Sequence, residues 1–110
     1  MSQDDVRLQH MLDAARTAVG FMQGRTRADL DTDAMLALAL VRLLEIMGEA
    51  AKNISQVTRQ HYPSIPWRAI TGTRDRLIHG YFAVDHDIVW AIITQDLPPL
   101  ITALEQDQAQ

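Results

Sequence analysis

The chain contains no cysteine, which rules out a disulfide framework, a thiolate nucleophile and cysteine-ligated metal. Glycine and proline are sparse, at 5 and 4 residues, and aromatic side chains are few. With turn and strand formers this scarce and Ala and Leu abundant, the composition points to helices. No hydrophobic run is long. The longest, Ala34 to Val41, has eight residues, far short of the roughly 20 that span a bilayer. The opening Met1-Ser2-Gln3-Asp4-Asp5 is acidic, unlike a signal peptide. A cytoplasmic, membrane-free protein is expected. Positive charge is not in excess either. The net charge of −4 argues against a general nucleic-acid binder, which would be basic. Any basic site has to be local, and the two candidates are Arg25 with Arg27, and Arg68 with Arg74 and Arg76. At 110 residues the chain is one domain, 1–110, large enough for a core and small enough to gain from dimerisation.

Hydrophobic periodicity predicts an all-α bundle of four to five helices with one long central helix. Val6, Met11, Ala15 and Val19 recur at helical spacing from about Asp4 to Phe21, with Gly20 and Gly24 marking the end. The long helix opens at the Asp31-Thr32-Asp33 capping cluster. It is expected to run to about His61. Leu36, Leu40, Leu43, Met47, Ala50, Ile54 and Val57 follow a heptad-like pattern. A second stripe of Ala37, Val41, Leu44, Gly48 and Ala51 lies beside it. Small residues at Gly48, Ala50 and Ala51 would let another helix come close. Pro63 and Pro66 stop the long helix. A short helix around Trp67 to Ile70 follows, and another begins near Gly72 or Thr73. Asp85 or Asp87 caps the last helix. Pro98-Pro99 kinks or restarts it, with Asp96 as a local cap. No strand pattern, internal repeat or low-complexity segment is present.

Familiar chemical motifs are missing. His10, His61, His79 and His86 form no HxxxH pair, so no metal site is expected. There is no glycine-rich phosphate loop, and none of the standard cofactor fingerprints is present. Glu45 and Glu49 lie one turn apart on the long helix. They could form a catalytic carboxylate pair, but the favoured reading is ordinary pairing with Arg42, Lys52 or Asn53.

The run Arg74-Asp75-Arg76-Leu77-Ile78-His79-Gly80-Tyr81 carries the chemistry. Arg74 offers a permanent cation that suits phosphate, His79 a proton shuttle near neutral pH, and Tyr81 a hydroxyl. On one regular helix Arg74 and Tyr81 would share a face, and Asp75 would sit one turn from His79, where its charge could favour the protonated ring. Arg74 and His79, five residues apart, would point about 140° away from each other. That offset is compatible with a loosened helix near Gly80, a reaching Arg74, or a site completed by a second subunit.

The spacing Arg-x4-His-x-Tyr resembles the signature of HepT-like toxins, a branch of the HEPN superfamily of small helical proteins. The likeness extends through Leu44-Glu45-Ile46-Met47-Gly48-Glu49-Ala50-Ala51-Lys52-Asn53-Ile54-Ser55, Pro66-Trp67 with Gly72, Leu77 to Phe82, Val84-Asp85 through Trp90, and Asp96-Leu97-Pro98. Many relatives carry Asn after the motif Arg, where this chain has Asp75. The resemblance implies a HEPN bundle, a homodimer and a metal-independent endoribonuclease. Arg74 and His79 would be catalytic, Tyr81 substrate-binding, and Asp75 and Arg76 supporting. It also implies a toxin that cuts RNA (tRNA among relatives), needs no cofactor and pairs with an MntA-type nucleotidyltransferase antitoxin. That antitoxin would silence it by transferring AMP to Tyr81. The alternative is a non-catalytic HEPN interaction module that binds a nucleotidyltransferase or a nucleotide.

Overall fold

The computed structural model describes residues 2–79 and 83–108, and for 79, 107 and 108 the backbone alone. Helix α1 spans Gln3–Phe21. Ser2 caps it, its hydroxyl accepting from the Asp5 amide while the Asp5 carboxylate accepts from the Ser2 amide, a reciprocal capping box. The chain turns at Gly24, whose φ of 73° is a left-handed value that costs glycine nothing. A single turn, α2 (Asp29–Thr32), leads to Asp33, which caps α3 (Ala34–Lys52) by accepting from the Leu36 amide. The capping residue is thus the last of the three that the sequence offered.

Helix α3 buries Leu36, Ala37, Leu40, Leu44, Met47, Gly48 and Ala51, so its core face runs between the two apolar stripes and takes from both. It packs mainly against α1, where Met11, Leu12, Ala15 and Ala18 are fully enclosed. Leu97, Leu100 and Leu104 of the last helix close the same core. Gly48 matters for a second contact. A Cβ there would sit 3.2 Å from the Ile70 carbonyl oxygen and 3.6 Å from the Thr73 Cβ. Its lack of a side chain lets the short helices α5 (Trp67–Thr71) and α6 (Thr73–Leu77) lie close on α3, as the small residues suggested.

The expected continuation of the long helix to His61 is wrong. Helix α3 stops at Lys52, Asn53 forms its C-cap, and α4 (Gln56–Gln60) starts afresh behind Ser55. The reason is tertiary. The Asp4 carboxylate accepts from the Ser55 hydroxyl at 2.6 Å and the Thr58 hydroxyl at 2.6 Å. Arg59 donates to the Ala51 carbonyl at 3.0 Å, satisfying an orphan acceptor at the end of α3, and its guanidinium lies 5.5 Å from the Trp67 ring centre. Ile54 still reaches the core, but Val57 is left exposed.

A second correction concerns the motif. Helix α6 ends at Leu77, and Ile78–His79 (β1) pairs antiparallel with Ala83–Val84 (β2), in the register Ile78 to Val84 and His79 to Ala83. The sequence showed no strand pattern, since two residues are too few for alternation to register. Asp85 then caps α7 (His86–Ala91), accepting from the Asp87 and Ile88 amides. A π-helical stretch, Ile92–Asp96, joins α7 to α8 (Leu97–Gln108). Its wider turn, with the Leu97 amide donating to Ile92, precedes Pro98 and Pro99. Those residues lack the N–H that a regular helix would use. Asp96 does not cap the restarted helix, and its carboxylate instead meets Arg76 at 3.5 Å. The fold is all-α apart from this minimal ribbon. No helix among the described residues is long and apolar enough to cross a membrane.

Candidate functional site

Arg74 lies on α6 and is exposed. The helix that carries it is only one turn and a half long, and Thr73 anchors it. That residue is fully buried, and its hydroxyl donates to the Ile70 carbonyl at 2.6 Å. Since Thr73 packs over Gly48, the position of Arg74 is fixed by the close approach of α6 to α3. Together with Thr71 and with Arg42, Glu45, Gly48, Glu49 and Lys52 of α3, Arg74 lines a cleft of about 310 Å³.

Charge pairing separates this cleft from the rest of the surface. The chain has ten Lys and Arg residues. Arg7, Arg16, Arg25, Arg27 and Arg76 each form an ion pair, and Arg59 serves the end of α3. Arg42, Lys52, Arg68 and Arg74 make no ion pair or side-chain hydrogen bond with a described residue, and three of these four line the one cleft. Three cations without a partner among the described residues therefore line the cleft of the motif Arg, together with the carboxylates of Glu45 and Glu49. Arg25 and Arg27, the other basic candidates, are committed to Asp33 and to Asp31 with Asp87.

The expected pairing of Glu45 and Glu49 is also absent. Neither carboxylate bonds to a described residue, and the Asn53 side chain donates to the Glu49 backbone carbonyl instead. The sequence favoured pairing because charged and polar partners stand three and four residues away on the same helix. Arg42, Glu45 and Glu49 also line a second cleft of about 310 Å³, with Arg7, His10, Ile46, Ala50 and Asn53.

The end of α6 at Leu77 overturns the single-helix geometry of the motif. Asp75 and His79 are not one helical turn apart, and the 140° offset between Arg74 and His79 does not apply. Arg74 and Asp75 are helical, and His79 lies in β1. Tyr81 lies outside the described residues. Asp75 is exposed. Arg76 is not among the residues that line the cleft, and it meets the Asp96 carboxylate at 3.5 Å.

The ribbon that carries His79 is braced from behind. The Asp85 amide donates to the Leu77 carbonyl at 2.8 Å. The next residue, His86, meets the Asp31 carboxylate at 2.9 Å through Nδ1. Arg27 bridges Asp31 at 3.0 Å and Asp87 at 2.7 Å. The hydrogen bond from His86, and then that from Arg27, hold the Asp31 carboxyl below the usual carboxylate range, while Asp87 and then Asp31 raise Arg27 above its own. No sequence signal marked this cluster, whose members lie up to 60 residues apart. Among the described residues no group of three or more His, Cys, Asp or Glu could hold a metal ion.

Residues 11–106 match the family described as ribonuclease HepT-like. The chain belongs to that family. Its match to a protein of Caldanaerobacter subterraneus named "Putative RNase" is 39% identical over 93 residues, covering 84% of this chain and 83% of that one. One from Methanocaldococcus jannaschii, again named "Putative RNase", is 33% identical over 107 residues, 96% of this chain and 98% of that one. A protein of Thermococcus cleftensis named "Probable ribonuclease HepT" is 43% identical over 72 residues, 66% of each chain. No solved structure matches. The span of this HepT-like chain that matches contains every residue lining the Arg74 cleft and the Arg74-to-Tyr81 run.

Proposed function

We propose that the chain is a metal-independent endoribonuclease of the HEPN toxin kind, with Arg74 and His79 as its catalytic residues. The observation that carries this reading is that Arg74 shares a cleft with two further cations, Arg42 and Lys52, and none of the three has a partner among the described residues. Cations left free in one place can take a phosphodiester, whose geometry suits a guanidinium.

On this reading the ribose 2′-oxygen attacks the adjacent phosphorus and the 5′-oxygen leaves. His79 moves the proton at one of those oxygens, a role worth roughly 10²–10⁴ in rate. Arg74 stabilises the charge that grows on the phosphorane, worth a few kcal/mol. The products carry a 2′,3′-cyclic phosphate and a free 5′-hydroxyl. RNA, tRNA included, is the substrate class. The active form is a homodimer. Tyr81 helps to seat the RNA and is the residue to which an MntA-type nucleotidyltransferase antitoxin transfers AMP from ATP. The added phosphodiester would compete for Arg74, and the adenosine would fill space that RNA needs.

The test is cleavage of RNA by the purified protein in excess EDTA, with Arg74→Ala and His79→Ala alongside and the product ends identified. Activity in EDTA with cyclic phosphate ends, lost in both variants, is the expected result. Activity only with added divalent metal would overturn the mechanism. RNA left uncut by a protein that still binds the nucleotidyltransferase would favour the binding-module reading.

A further inference from the structure

Two carboxylates in a cleft otherwise built for an anion call for an explanation. Glu45 and Glu49 are one turn apart on α3, flanked on the same helix by Arg42 and Lys52, and neither carboxylate bonds to a described residue. Like charges four residues apart on a helix repel. Arg42 and Lys52, three residues to either side, form no ion pair with either carboxylate. A phosphate alone would be better served by Gln or Ser at these positions. The cleft, at about 310 Å³, is at the lower end of sizes that hold small ligands and has room for more than a phosphate.

A carboxylate is an acceptor-only group with two oxygens. Among the four RNA bases only guanine presents two adjacent donors, N1–H and the N2 amino group, on its Watson–Crick edge. Adenine and cytosine set a ring-nitrogen acceptor beside their amino group, and uracil flanks its single N–H with two carbonyls. Each of these would aim a lone pair at the carboxylate. In single-stranded RNA that edge is free to be read. Building on the ribonuclease reading above, we propose that the Arg74 cleft is a guanosine subsite. Glu45 and Glu49 read the base next to the scissile phosphate, Arg74 holds that phosphate, and Arg42 and Lys52, at opposite ends of the glutamate pair on α3, serve the flanking phosphates. The division follows from the charges. The cations would repel guanine's donor edge, and the carboxylates would repel the phosphate, so the base edge goes to the carboxylates and the phosphate to a cation.

The subsite is tested by titrating the full chain with 5′-GMP, 5′-AMP, 5′-CMP and 5′-UMP under one salt condition, for wild type, Glu45→Gln and Glu49→Gln. In parallel, cleavage sites in an RNA of mixed sequence are mapped. Gln keeps the shape of Glu but puts a donor where guanine has one. The expected result is 5′-GMP binding about tenfold tighter than 5′-AMP, in line with the discrimination of one good bidentate base contact. The GMP-to-AMP ratio should fall several-fold in at least one Gln variant. The ratio of cuts at guanosine to cuts at adenosine should fall in the same variant, whereas Arg74→Ala should lower cleavage at every base alike. Equal binding of all four nucleotides, or a ratio untouched by both substitutions, would overturn the proposal. So would a change of oligomeric state in the Gln variants without a change in base preference, since the glutamates would then belong to an interface. If wild type cuts no RNA yet keeps its GMP preference, the ribonuclease reading fails and the subsite stands.

Discussion

At the scale of single residues, what separates the candidate site from its surroundings is whether a charge has a partner. Arg42 and Lys52 are exposed and have no partner among the described residues, so their contribution to RNA binding should be plain charge neutralisation. Arg42→Ala and Lys52→Ala are each expected to weaken binding of single-stranded RNA and to flatten the plot of log affinity against log salt by about 0.7. Affinity measured at three or more salt concentrations checks this, and an unchanged slope would remove that residue from the phosphate path. The paired charges behave differently. The Asp31 carboxyl is held below its ordinary 3.8 by His86 and then Arg27. A carboxylate with a depressed folded-state pKa stabilises the fold above its unfolded value, and loses that contribution as pH falls through the folded one. Asp31→Asn should therefore be less stable than wild type near neutral pH, with the gap closing below about 3.8. Urea midpoints across that range would show it, and a gap that persists at the acid end would mean the bridge is structural in some way other than charge.

At the scale of elements, the sequence was most informative where the cause of an element is local. Helix α1, the capping residues Asp33 and Asp85, and the break before Trp67 were legible, because caps, prolines and helical spacing act over a few residues. The early end of α3 was not, since the stop is made by Asp4 and Arg59 through contacts that no window of sequence contains. The motif itself was misread as geometry, as one continuous helix. A run with Leu77 and Ile78 inside it suits helix or strand equally, and the ribbon register with Ala83–Val84 decides it. Gly48 joins the two levels, being legible as a small residue and explained by the Ile70 carbonyl that it admits. Gly48→Val would drive a branched side chain into that contact. We expect it to destabilise the fold by about 1–3 kcal/mol, as overpacking does, and to push α6 off α3. Thermal melts report the first effect. The second should appear as weaker RNA binding than in Gly20→Val, a position where an added Cβ meets nothing within 4 Å. If the two variants bind alike, the placement of Arg74 does not depend on this packing.

At the scale of the whole molecule, the apolar surface is uneven. Met35 and Leu38, in the first turns of α3, are 82% and 71% exposed. They stand on the helix that further along lines the cleft with Arg42, Glu45, Glu49 and Lys52. Large apolar side chains left this open on a small protein suit an interface, and a two-fold dimer would bury both copies of the same patch. Sedimentation should show a dimer at micromolar concentration. Met35→Glu combined with Leu38→Glu should give a monomer of unchanged helicity, since neither side chain supports the core. Whether the second copy also completes the site is a separate question, and mixing answers it. If Arg74 of one protomer works with His79 of the other, inactive Arg74→Ala and His79→Ala homodimers should regain RNA cleavage after being mixed and allowed to exchange, because half of the sites in each mixed dimer then carry both residues. If each protomer holds a complete site, mixing restores nothing. A clean monomer in the wild type would remove the shared site altogether, and would leave Met35 and Leu38 as a surface for some other partner.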